Sequence, residues 1–72
     1  LIIKATEETW IRIKADQKPV SQVLLKPGEK IEYKAVIFDM DIGNAGGVKI
    51  QFEGKNIENL GKSGEVIRLR LP

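Results

Sequence analysis

Asp39 and Asp41 are two residues apart, so on a strand their carboxylates leave the same face within roughly 7 Å of each other. That spacing suits paired acid and base work or a bound cation. The stretch from Asp39 to Asn44 echoes a calcium loop, which needs glycine in sixth place and glutamate in twelfth. Asn44 and Ile50 stand there instead. Two like charges on a solvated face are the plainer reading.

Gly43-Asn44-Ala45-Gly46-Gly47 offers backbone amides that could approach a phosphate. A dinucleotide fingerprint needs Gly-x-Gly-x-x-Gly and a helix after it, whereas a strand pattern follows here. The segment reads as a sharp β connection in which Gly43, Asn44, Gly46 and Gly47 are structural, with positive φ expected at several positions. Gly61-Lys62-Ser63 resembles the end of a Walker A loop, but the required earlier glycine is replaced by Asn56 and again a strand follows.

Trp10 is the only tryptophan, and it alternates with Ile11 and Ile13, the better core candidates. Its indole is therefore expected to be at least partly exposed. If the strands around Trp10 and Arg68 share a sheet, then Trp10, Arg12, Arg68 and Arg70 occupy one outer face. An aromatic beside arginines suits recognition by stacking and cation–π contact. The competing use of Trp10 is to cover a sheet edge or to pack beneath a loop.

The rest of the inventory is defined by what is missing. The chain has no Cys and no His, which removes thiolate chemistry, the Ser-His-Asp triad and the usual metal ligands. No catalytic residue, cofactor or metal is expected, and the chain does not read as an enzyme. Twelve basic residues against ten acidic ones leave a net charge of +2, and the signs are interleaved. With so few aromatics, nucleic acid is not an expected partner of this domain. The longest apolar run, Ala35 to Phe38, is far below the ~20 residues of a membrane helix. Seventy-two residues make a single domain, 1–72. The chain opens on Leu1 rather than Met, so we expect a fragment of a longer protein.

The elements that must position these residues are strands. Period-two alternation runs through Leu1–Ala5, Thr9–Ala15, Val20–Lys26, Lys30–Ala35, Val36–Ile42, Val48–Glu53 and Ile67–Leu71. Lys26-Pro27-Gly28-Glu29 is a tight-turn signal, Glu53-Gly54-Lys55 a hairpin tip, and Asn59 to Gly64 a loop. About seven short strands with such punctuation predict an all-β fold, a sandwich or small barrel. No stretch has a 3.6 period.

The order of features also resembles a known family. Thr9-Trp10-Ile11-x-Ile13, the polar turn Asp16 to Pro19, Leu24-Leu25-Lys26-Pro27-Gly28-Glu29, Asp41-Ile42-Gly43-Asn44-Ala45-Gly46-Gly47-Val48, Glu53-Gly54-Lys55 and Gly64 to Leu71 together resemble the C-terminal domain of RodZ-like bacterial proteins. The most specific part is Ile42 to Gly46 combined with Trp10. One departure is Gln17, where glycine is common in the family, which bears on the turn type. The resemblance implies an immunoglobulin-like β-sandwich. It further implies a parent with a cytoplasmic helix-turn-helix domain and one membrane helix, leaving this domain on the extracytoplasmic face of the bacterial membrane. Such proteins link the MreB cytoskeleton to cell-wall elongation and rod shape. The expected partners are proteins of the elongation machinery, with peptidoglycan as a further contact. The alternative function is a glycan-binding module using Trp10 as a platform with Asp39, Asp41 or Asn44 as hydrogen-bonding partners.

Overall fold

The computed structural model describes residues 1–57 and 60–72. Among the described residues, eight strands appear in chain order: β1 Ile2–Ala5, β2 Thr9–Ala15, β3 Ser21–Leu25, β4 Lys30–Glu32, β5 Phe38–Ile42, β6 Val48–Phe52, β7 Lys55–Ile57 and β8 Ile67–Leu71. A 3₁₀ turn, Ala45–Gly47, precedes β6. Two four-stranded sheets result, with orders β4-β1-β6-β7 and β3-β2-β5-β8. Every pairing is antiparallel. The fold is a β-sandwich, one of the two all-β architectures that the alternation predicts and the one that the resemblance implies.

Each central strand turns one face inward. Ile3 and Ala5 of β1, Ile11 and Ile13 of β2, Phe38, Met40 and Ile42 of β5, and Val48 and Ile50 of β6 fill the space between the sheets. Phe38 meets Phe52 edge to face, with ring centroids 5.9 Å apart, a favoured aromatic arrangement. Burying these side chains removes the apolar surface that drives folding.

Tight turns close the strands. Glu53 and Gly54 both have positive φ, at 52° and 76°, and they join Phe52 to its partner Lys55. This is a two-residue type I′ hairpin, whose twist matches that of the strands. Lys26-Pro27-Gly28-Glu29 closes with Glu29 N–H donating to Lys26 C=O at 3.0 Å, and Gly28 has φ 90°. The same device recurs at Lys62-Ser63-Gly64-Glu65, with Glu65 N–H donating to Lys62 C=O at 3.0 Å and Gly64 at φ 82°. In both, the glutamate carboxylate accepts from the lysine backbone N–H, at 2.7 and 2.9 Å. Gly61-Lys62-Ser63 thus leads into a clamped turn, not a phosphate loop.

Three expectations about the strands need correction. A strand over Lys30–Ala35 is cut to Lys30–Glu32: its register with β1 covers Ile2 to Lys4, and Leu1 and Tyr33 continue it by one further backbone pair, at 2.9 and 3.0 Å. Val36 does not join the inward row of β5; it is 73% exposed. The Asp16 carboxylate accepts from the backbone N–H of both Val36 and Ile37, at 3.1 and 2.8 Å, and so pins this crossing between sheets outside the ladder. Finally β7, absent from the seven expected strands, forms the second limb of the Glu53-Gly54 hairpin. At the turn after β2, positive φ falls on Asp16 at 52° and not on Gln17.

Candidate interaction surface

β2 and β8 lie in the same sheet, with β5 between them. Outward residues therefore form rows across strands. One row runs Gln22, Arg12, Asp41, Arg68; the next runs Lys14, Asp39, Arg70. At the end of the face, Trp10 is opposite Leu24 and its carbonyl accepts from Gly43 N–H at 2.8 Å. An acidic strand is thus flanked by two basic ones, which is the favourable arrangement for charges on neighbouring strands.

Arg68 organises the charges. Its Nε and Nη2 donate to the two oxygens of Asp39 at 3.3 and 3.2 Å, a forked geometry suited to carboxylate. The contact is diagonal, since Asp39 is opposite Arg70 in register. Arg68 Nε also lies 4.0 Å from Asp41 Oδ1. The Arg68 hydrogen bonds hold the Asp39 carboxyl below the usual carboxylate range against the opposing pull of burial, helped by the charges of Arg68, Arg70 and Lys14. In return, Asp39 and then Asp41 raise the Arg68 guanidinium. A guanidinium already sits between the two carboxylates, where a bound cation or a paired acid and base would have to work.

Trp10 is 36% exposed and Leu24 55%. A depression of about 370 Å³ lies over Trp10, Arg12, Gln22, Leu24 and Asp41. One side of the indole is occupied, because a Cβ on Gly43 would overlap Trp10. Glycine thus makes room for the ring across the strand pair.

Asn44 ties three loops. Its Nδ2 donates to Glu8 C=O at 3.1 Å and to Glu7 Oε1 at 3.3 Å, and its Oδ1 accepts from Gly64 N–H at 2.8 Å. Its backbone N–H donates to the hydroxyl of buried Thr9 at 3.0 Å. Ser63 Oγ donates to the same Glu7 Oε1 at 2.8 Å. Nearby, Ala45 N–H donates to Glu65 C=O and Gly46 N–H to Lys62 C=O, at 2.8 and 3.0 Å. The amides that a phosphate loop would present are spent on the polypeptide itself.

This constellation has a recognisable sequence. The model of the family described as the RodZ C-terminal domain matches residues 3–70. The chain belongs to the RodZ C-terminal domain family. No curated protein and no solved structure gives a significant match.

In this member of the RodZ C-terminal domain family, the residues singled out from sequence fall into two groups. Trp10, Arg12, Arg68 and Arg70 share the outer face of one sheet, with Asp39 and Asp41 interposed. Gly43, Asn44, Gly46 and Gly47 form the knot at its end. Their glycines correct the expected reason for their presence: positive φ belongs to Gly28, Gly54 and Gly64. A Cβ on Gly46 would overlap the Ser63 backbone, and one on Gly47 would lie 2.8 Å from Asn44 Nδ2 and from Glu7 Cβ. Close approach of chain segments, not backbone conformation, requires glycine here. Lys14, Gln22 and Leu24 also belong to the face. Lys14 shares the parity of Trp10 and Arg12, so alternation could have found it; the two β3 residues depend on which strand pairs with β2.

Proposed function

We propose that this domain is a non-enzymatic interaction module on the extracytoplasmic side of a RodZ-like membrane protein, whose parent connects the MreB cytoskeleton to cell-wall elongation and rod shape. The observation that carries the reading is the outer face of β3-β2-β5-β8. There a partly exposed indole and an exposed leucine adjoin Arg12 and share the face with Lys14 and Arg70, and none of these three cations is paired with a carboxylate among the described residues. Aromatic and arginine side chains at one surface are the groups that dominate protein–protein binding energy.

The glycan alternative loses two of its hydrogen-bonding candidates. Asp39 offers both oxygens to Arg68, and both polar atoms of the Asn44 side chain are used within the chain. Protein partners of the elongation machinery are the reading we adopt.

The test is site-specific photo-cross-linking in a rod-shaped bacterium, with the complete parent protein carrying the probe at Gln22 on the proposed face or at Lys55 on the other sheet. Recovery of elongation proteins from Gln22 but not from Lys55 is expected. Equal recovery from both positions, or none from Gln22, overturns the assignment.

A further inference from the structure

β8 pairs with β5 on one side and, among the described residues, borders no strand on the other. The direction of its open backbone groups follows from the ladder. Gly43 N–H donates to Trp10 C=O, and hydrogen-bonded and non-bonded pairs alternate along antiparallel strands. The pairs Arg12↔Asp41 and Lys14↔Asp39 are therefore the bonded ones between β2 and β5. Asp39 and Asp41 direct their backbone groups to β2, which leaves Phe38, Met40 and Ile42 to bond Leu71, Leu69 and Ile67 of β8. The N–H and C=O groups of Arg68 and Arg70 consequently point out of the sheet.

The same two residues raise guanidinium groups over the outer face. Arg68 is held by Asp39, whereas Arg70 has no carboxylate within ion-pair distance among the described residues. On the inner face, Ile67 and Leu69 are only half-buried, while their β5 partners Ile42 and Met40 are enclosed at 0% and 1% exposure. Backbone, charge and apolar cover are all incomplete along one strand.

We propose that β8 is a docking edge for an extended acidic peptide segment of a partner protein. Its acidic residues alternate with apolar ones, and it adds to the sheet as a fifth strand. Strand addition draws affinity from main-chain hydrogen bonds and specificity from alternate side chains. The chain contains its own example of the fitting pattern, Phe38-Asp39-Met40-Asp41-Ile42 on the opposite side of β8. A second copy of β8 is a poor occupant. Antiparallel pairing about Leu69 would set Arg68 against Arg70 twice, and like charges directly opposed are destabilising. The far edge of the sheet, β3, reads Ser-Gln-Val-Leu-Leu and has no charge with which to select an acidic strand.

This inference rests on the interaction-module reading and names the class of partner. Its test is titration of the isotopically labelled 72-residue chain with a synthetic peptide copying residues 37–43, followed by amide exchange. Exchange at Arg68 and Arg70 is expected to slow by about tenfold or more at saturation. Binding is expected to weaken roughly tenfold in Arg70→Glu and with both peptide aspartates replaced by lysine. Arg70→Gln, which removes charge without reversing it, is expected to fall between. No binding, equal binding of the lysine peptide, or protection of Gln22 and Leu24 in place of Arg68 and Arg70 overturns the proposal. The experiment involves only the purified chain and a peptide, so its failure is distinct from failure of the cross-linking in cells.

Discussion

Trp10 rests against Gly43, and the contact leaves no room for a single methyl group on the glycine. The two residues face each other across β2 and the end of β5, joined by the Gly43 N–H bond to the Trp10 carbonyl at 2.8 Å. The exposed aromatic of the proposed binding face and the glycine of the family motif are thus parts of one contact. A side chain that could serve recognition is held in place by the segment that organises the fold.

Gly43→Ala is expected to displace the indole and to cost about 1–3 kcal/mol, the usual range for an overpacked site. Urea unfolding measures the loss, and the emission of the only tryptophan should shift in the folded state. Gly46→Ala is expected to destabilise at least as much without that shift, because its Cβ would meet the Ser63 backbone rather than a side chain. An unchanged midpoint in Gly43→Ala would contradict the contact.

Asn44→Ala removes the links to Glu7, Glu8 and Gly64 together. With net hydrogen-bond contributions near 1 kcal/mol each and partial solvent replacement, we expect a loss of about 1–3 kcal/mol. Faster amide exchange should appear at Gly64, whose N–H loses its acceptor. Unaltered exchange there would show that the knot holds without Asn44.

The Asp39–Arg68 pair makes stability depend on acid. Asp39 has its carboxyl lowered in the folded chain, first by the Arg68 hydrogen bonds, so the unfolded chain binds the proton more readily. The contribution is complete above the unfolded value of about 3.9 and is lost as pH falls through the folded value. Unfolding midpoints collected from neutral to acid pH should decline less steeply in Asp39→Asn than in the parent chain. Identical profiles would remove the pair from the account.

Glu53 has φ 52° in the first position of the β6–β7 hairpin, a region that favours asparagine, aspartate or glycine over glutamate. Glu53→Asn is expected to stabilise the domain by about 0.5–1 kcal/mol, seen as a higher thermal midpoint. Destabilisation would mean that the glutamate side chain makes a contribution the turn geometry does not reveal.

The alternating strands β2, β5, β6 and β8 are legible in the sequence because each has one face on the core, which writes a period of two into residue type. β7 is not: Lys55-Asn56-Ile57 has one apolar residue and no period. Val36 misleads because it continues the parity of Phe38 and Met40, yet the Asp16 carboxylate, twenty residues away in sequence, takes its amide. The placement of Trp10 with Arg12 follows from parity alone. Their position relative to Arg68 and Arg70 depends on strand order, and β5 intervenes with two aspartates.

The sequence by itself determines an all-β domain without thiol or imidazole chemistry, because alternation and composition are local properties of the chain. Tertiary structure alone decides that Arg68 reaches diagonally to Asp39 while Arg70 has no such partner among the described residues, and that Gly43 and Gly46 are glycines for want of space. Both outcomes depend on which segments come together: Arg68 meets Asp39 from 29 positions away, and Gly46 meets the Ser63 backbone of a different loop.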